Sequence, residues 1–131
     1  MSQLESAVPA DGQATALLVS PDEEDHEILN ALFQHNSWIL RRVSSVNSAS
    51  ALLNEGTTYI VITERHLPVG DWKDVLELIR HLPKAPLLIV ISRGADNYLW
   101  AEAVNLGAYD VLEKPLDQIE AARVLTSAWI R

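Results

Sequence analysis

Five short apolar segments alternate with five amphipathic segments along the chain. The apolar segments are rich in β-branched residues and predict buried strands at residues 15–20, 38–44, 59–63, 86–92 and 109–113. Each is followed by apolar residues at helical spacing, and the first such set is Ile28, Leu29, Leu32 and Phe33. Strands that alternate with helices in this way predict an α/β fold, a doubly wound five-stranded parallel sheet with five helices.

Residues at the helix ends suggest where the helices begin and end. Ser20 is a candidate N-cap, Pro21 suits the first helical position, and Glu23 would complete a capping box. The acidic run 22–27 is then expected to be a solvated first turn that complements the helix dipole. Gly56 and Gly107 are expected to end the second and fourth helices.

Composition excludes several classes of function. The 131 residues fit one domain, which we place at 14–131 after a flexible tail at 1–13. The sequence has no cysteine, so thiol catalysis and cysteine-ligated metals are excluded. A net charge of −8 with scattered basic residues argues against nucleic-acid binding. Because the sequence has no signal peptide and no long apolar run, we expect a cytoplasmic protein without a membrane span.

Polar residues follow the predicted strands. Ser20 and Pro21 follow the first strand, Glu64 the third, and Lys114 the fifth, while Ser92 ends the fourth. In open parallel sheets, functional side chains collect at the C-terminal strand ends near the point where the strand order reverses. These residues are therefore the candidates for a functional site.

The segments around these residues are "ERHLPVGDW", "LLIVISRGAD", "AVNLGAYD" and "VLEKPL". In this order and spacing, the chain from about residue 15 to 131 resembles the receiver domain of bacterial response regulators. The resemblance implies a flavodoxin-like sheet of order 2-1-3-4-5. It also places Glu64 at the phosphoacceptor position, Ser92 at the conserved hydroxyl position and Lys114 at the lysine position, with a cis Lys114–Pro115 bond.

The chain also departs from the receiver pattern. Receivers hold Mg²⁺ with an acidic pair, and Ser20 and Pro21 occupy those positions here. The acceptor aspartate is replaced by Glu64, and the aromatic switch residue by Val111. Phosphoryl transfer needs a metal to neutralise developing charge, so we expect no Mg²⁺, no other cofactor or metal, and no catalytic residue or enzymatic activity.

The leading hypothesis is a stand-alone, phosphorylation-independent pseudo-receiver in signal transduction. Glu64 would accept charge-assisted hydrogen bonds from Lys114 and Ser92 and hold the domain near one signalling state. One alternative is a receiver in a phosphorelay that still accepts a phosphoryl group on Glu64 or a nearby acid. Another is a scaffold or dimerisation module in which a Glu64–Lys114 salt bridge has no signalling role.

The expected partner is a protein, either a sensor kinase or a downstream regulator. In receivers, the fourth helix, fifth strand and fifth helix form the usual partner surface, and a homodimer through this face is a further hypothesis. Leu99, Ala103 and Leu106 form a core-facing stripe on the fourth helix, which displaces Trp100 toward the surface. Trp100, with Val111 nearby in the fifth strand, is thus a candidate anchor for a partner.

Overall fold

A computed structural model describes residues 14–131, so the predicted tail at 1–13 lies outside the described residues. Five strands alternate with five helices in this part of the chain. The strands are β1 (Thr15–Val19), β2 (Ile39–Val43), β3 (Ile60–Glu64), β4 (Leu87–Arg93) and β5 (Asp110–Lys114). The helices are α1 (Glu23–His35), α2 (Val46–Leu53), α3 (Trp72–Arg80), α4 (Asn97–Leu106) and α5 (Gln118–Trp129).

The strands form one parallel sheet in the order β2-β1-β3-β4-β5. The predicted fold class and strand order are therefore confirmed. The chain steps from β1 to β2 in one direction across the sheet. It then crosses over β1 to β3 and continues to β4 and β5 in the other direction, which creates a switch point beside β1. None of the helices between residues 14 and 131 is long and apolar enough to cross a membrane.

Two apolar cores lie on opposite faces of the sheet because successive strand side chains point to opposite sides. One face packs against α1 and α5 and includes Leu18, Ile62 and Leu112. The other packs against α2, α3 and α4 and includes Val61 and Val90. The same alternation continues to the strand ends, so it decides which polar side chains can meet there.

The start of α1 differs from the prediction. Asp22 is the N-cap, with an extended backbone and a carboxylate that accepts a hydrogen bond from the Glu24 N–H. The predicted capping box of Ser20 and Glu23 is wrong because the buried Ser20 side chain turns inward, toward Asp25.

The predicted helix ends are partly confirmed. α4 ends at Gly107, whose positive φ of 116° is a conformation that glycine adopts without strain. α2 ends with Asn54 as its C-cap, so Gly56 lies one residue beyond the predicted position. The Lys114–Pro115 peptide bond is cis, as the resemblance implied.

Candidate functional site

Lys114 is the centre of the polar cluster at the C-terminal strand ends. Its ammonium nitrogen lies 2.9 Å from Asp25 Oδ2, 2.9 Å from Glu64 Oε2 and 3.2 Å from Asp22 Oδ2. The lysine side chain is buried, with 3% exposed. A lysine ammonium has three N–H donors. All three are therefore matched by carboxylate acceptors of this chain.

Glu64 and Lys114 meet because they project from the same face of the sheet. Glu64 lies two residues after Ile62, and Lys114 lies two residues after Leu112, and both apolar residues belong to the core beside α1 and α5. α1 packs over this face and brings its first turn to the strand ends. The contact between Glu64 and Lys114 that the sequence suggested is present.

Asp25 is a site residue that the sequence analysis missed. The acidic run 22–27 was expected to be solvated, but Asp25 is only 2% exposed and ion-paired with Lys114. The expectation fails because Asp25 lies one helical turn before the core residue Leu29 and shares its inward face. The spacing of Asp25 and Leu29 is the sequence signal that could have identified it.

Ser20 hydrogen-bonds to both aspartates at the start of α1. Its buried hydroxyl donates to Asp25 Oδ2 over 2.9 Å and accepts from the Asp22 N–H over 3.0 Å. The Asp22 carboxylate in turn caps α1 with one oxygen and contacts Lys114 with the other. The serine hydroxyl therefore contacts the Asp25 carboxylate beside the lysine and the backbone of Asp22, the N-cap of α1.

Ser92 does not take the expected place. Its hydroxyl proton is donated to the Arg93 carbonyl oxygen at 2.9 Å, so the expected hydrogen bond to Glu64 is not formed. The reason is strand alternation. Ser92 lies two residues after Val90, which faces α2, α3 and α4, whereas Glu64 faces the opposite side.

The cluster holds more negative than positive charge. Desolvation raises the pKa of the Glu64 carboxyl above its ordinary value, and the hydrogen bond from Lys114 offsets only part of this effect. Burial alone would lower the pKa of Lys114, but its hydrogen bonds to the three carboxylates outweigh burial and raise it. The hydrogen bond from the Glu24 N–H, with a further one from Lys114, lowers the pKa of Asp22.

Two ion pairs at the surface lie beside this cluster, at the first turn of α1. Arg93, at the end of β4, contacts Glu24 of α1 at 3.1 Å, and Arg42 of β2 contacts Glu23 at 2.8 Å. Both pairs link the first turn of α1 to a strand end of the sheet.

Among residues 14–131, no three His, Asp or Glu side chains are arranged so that they could hold a metal ion.

Trp100 and Val111 lie away from Lys114, on the surface formed by α4, β5 and α5. Trp100 is 52% exposed, as its displacement from the core-facing stripe predicted. Leu99 and Ala103 of that stripe are buried, but Leu106 is 39% exposed because it ends the helix. Val111 packs partly against the core and lines a surface cavity with Trp100.

Comparison with known proteins decides the family. The profile described as "Response regulator receiver domain" matches residues 16–126. The chain belongs to the response regulator receiver domain family. Receivers are signalling modules that act through contacts with protein partners in two-component systems, and as a class they are generally not enzymes.

Individual receiver proteins show the extent of the similarity. The chain is 29% identical over 105 residues to the response regulator PilR of Pseudomonas aeruginosa and 28% identical over 110 residues to RegA of Cereibacter sphaeroides. These matches cover 78% and 83% of this chain, but 23% of PilR and 59% of RegA. A response regulator structure from Chloroflexus aurantiacus, matched over 92% of this chain and 100% of that one, has a TM-score of 0.83 at 20% identity.

Proposed function

We propose that this receiver transmits signals through protein–protein contacts without accepting a phosphoryl group. The observation that carries the proposal is the pairing of Lys114 with Asp22, Asp25 and Glu64. A phosphoryl group bound at the strand ends would need the lysine as a counterion. Here the lysine donors are used within the chain, and the domain is held in one state by its own carboxylates.

The charge of the site supports the same proposal. Three carboxylates face one ammonium, so the site keeps an excess of negative charge when all of them are ionised. An anionic phosphodonor is repelled by such a site, most strongly where burial lowers the effective dielectric constant. Glu64 also extends one methylene further than aspartate, which displaces its carboxylate from the position for in-line attack.

The residues of this site do not fit Mg²⁺. This ion takes oxygen ligands in near-octahedral geometry. Ser20 occupies one position of the usual acidic pair, and its hydroxyl donates a hydrogen bond to Asp25. Pro21 occupies the second position, and its side chain has no ligand atom. The Lys114 ammonium already neutralises part of the charge that would attract a cation. The proposed function therefore needs no metal.

Labelling with a phosphodonor tests the proposal. The receiver is incubated with a small acyl phosphate and Mg²⁺, and intact mass spectrometry follows the addition of a phosphoryl group. A receiver with the ordinary aspartate and acidic pair, treated in parallel, shows that the donor is active. We expect no stable adduct on this chain. An adduct mapped to Glu64 or a neighbouring acid would instead support the phosphorelay alternative.

A variant with the usual receiver residues provides a matched gain-of-function control. The triple substitution Ser20→Asp, Pro21→Asp and Glu64→Asp restores the acidic pair and the acceptor. If the missing groups are what prevents labelling, this variant should become labelled in a Mg²⁺-dependent manner. Labelling of the wild-type chain to the same extent would contradict the proposal directly.

Self-association through the α4, β5 and α5 face is the second candidate function. It is favoured by the exposed side chains of Trp100 and Val104 on α4. Light scattering over a range of protein concentrations measures it. A mass that rises to that of a dimer would support the scaffold or dimerisation role, and a constant monomer mass would support contact with a different protein.

A further inference from the structure

A shallow cavity lies between α4 and α5, over β5, and none of the carboxylates that contact Lys114 lines it. Its volume is about 260 Å³, and Trp100 and Val111 form its apolar part. Three carboxylates, those of Asp96, Glu113 and Glu120, also line it. The cavity therefore combines an aromatic surface with a concentration of negative charge.

The apolar part of the cavity has no cover within the described chain. Trp100 is 52% exposed, and Val111 beside it is only partly buried. α4 buries only Leu99 and Ala103 among its residues. Large exposed aromatic side chains are enriched at the centres of protein interfaces, where their burial contributes most of the binding energy.

The charge of the cavity decides what can cover it. Glu113 and Glu120 are exposed, and the nearest ion-pair contact to either within residues 14–131 is that of Arg123 with Glu120, at 4.0 Å. The whole chain carries a net charge of −8. Electrostatic complementarity therefore requires a positively charged occupant.

We propose that this cavity is the docking site for an arginine-bearing segment of a basic partner protein. The guanidinium group stacks on the Trp100 indole, and Glu113 and Glu120 accept its charge-assisted hydrogen bonds. This inference rests on the proposed function in one respect: both require the receiver to act through contacts with a protein. It does not depend on whether Glu64 is phosphorylated.

Two other occupants fit the cavity less well. Small-molecule sites usually enclose at least about 300 Å³, which is more than this cavity offers, so a side chain of a protein suits it better. A second copy of this chain, docked symmetrically, would bring its own Asp96, Glu113 and Glu120 against the same three residues. Juxtaposed like charges oppose such a dimer.

Titration with an octa-arginine amide peptide, followed by ¹H–¹⁵N NMR, tests the proposal. The largest chemical-shift changes are expected at the Trp100 indole N–H and at the amides of Glu113 and Glu120. Replacing both glutamates by glutamine should weaken the binding by about tenfold, as expected for two charge-assisted contacts. Trp100→Ala should weaken binding several-fold while the melting temperature stays within a few degrees, because the residue is exposed.

The matched control is the double variant Glu27→Gln and Glu77→Gln, which removes the same charge from exposed positions on α1 and α3. It should keep most of the affinity of the wild-type chain. If both double variants bound the peptide equally weakly, the peptide would be attracted to the acidic protein in general, and the proposal would be overturned. A monomer–dimer transition that Trp100→Ala abolishes would also overturn it, because the occupant would then be a second copy.

Discussion

Asp25 Oδ2 and Lys114 Nζ lie 2.9 Å apart, and each side chain is only 3% exposed. The pair joins α1 to the end of β5, which are 89 residues apart in sequence. Removing one partner of a buried ion pair leaves the other charge desolvated and unpaired, which costs more than the pair itself contributes. The contact is thus a sensitive point for both stability and the conformation of the site.

Lys114→Met should lower the free energy of unfolding by about 3–5 kcal/mol at pH 7, because three carboxylates lose their shared counterion. The loss should be smaller near pH 4, because the pKa of Glu64 is raised and this carboxyl can take up a proton there. Urea unfolding at the two pH values measures both effects. The control is Lys73→Met, which removes the exposed pair with Glu102 and should destabilise the chain far less than Lys114→Met.

The wild-type chain should also show the effect of Lys114 at alkaline pH. The pKa of Lys114 is raised above its ordinary 10.5 in the folded state. The stability that this group contributes is therefore complete below pH 10.5 and is lost as the pH rises through the raised pKa. If Lys114→Met lost as much unfolding free energy at alkaline pH as the wild type, this assignment would be contradicted. It would also be contradicted if Lys114→Met and Lys73→Met lowered the unfolding free energy equally little at pH 7.

The two serines at the strand ends should respond differently to substitution. Ser20→Ala removes a buried hydroxyl that hydrogen-bonds both Asp25 and the Asp22 N–H, and it should cost about 1–3 kcal/mol. Ser92→Ala removes a hydroxyl that donates to the adjacent Arg93 carbonyl oxygen, and it should cost less than about 1.5 kcal/mol. Thermal unfolding of both variants shows which substitution destabilises the chain more. A larger loss of stability for Ser92→Ala would show that Ser92 belongs to the site.

Glu64→Gln should raise the melting temperature at pH 7. The pKa of Glu64 is raised from 4.5 in the folded state, so its stabilising contribution falls as the pH rises from below 4.5 through the raised pKa. The glutamine carbonyl can still accept from Lys114 without carrying a buried charge. The advantage over wild type should disappear near pH 4, where Glu64 is itself protonated.

Asp22→Asn provides the opposite case within the same cluster. The pKa of Asp22 is lowered from 3.8, so its contribution is present above pH 3.8 and is lost as the pH falls through the lowered pKa. This variant should therefore be less stable than wild type at pH 7. A melting temperature that shifts in the same direction for both variants would contradict the assigned pKa directions.

Gly70→Ala should be more destabilising than Gly94→Ala. Both glycines have a positive φ, 85° and 69°, which costs an alanine about 1–2 kcal/mol. A Cβ at Gly70 would also collide with the Asp74 carboxylate, which accepts from the Asp71 N–H in the capping box of α3. A Cβ at Gly94 meets nothing within 4 Å. Equal melting temperatures for the two variants would show that the capping box is free to move.

Local sequence patterns were enough to predict the order of the elements, the fold class and the proximity of Glu64 to Lys114. Apolar runs and helical spacing are local properties, and the parallel arrangement brings all strand ends to one edge of the sheet. The exposure of Trp100 followed from the same kind of local argument. The predicted capping box failed because Ser20 could form either a local cap or a tertiary contact, and sequence spacing does not distinguish them.

The other contacts at the strand ends depend on tertiary packing, which local sequence patterns do not reveal. Asp25 became part of the site because α1 packs its inward face over the side of the sheet from which Lys114 projects. Ser92 was excluded because it projects from the opposite face of β4. Both outcomes depend on how a helix is rotated over the sheet and on which face each strand residue occupies. A buried lysine pairs with the carboxylates that this packing brings close to it, because an unpaired buried charge is unfavourable.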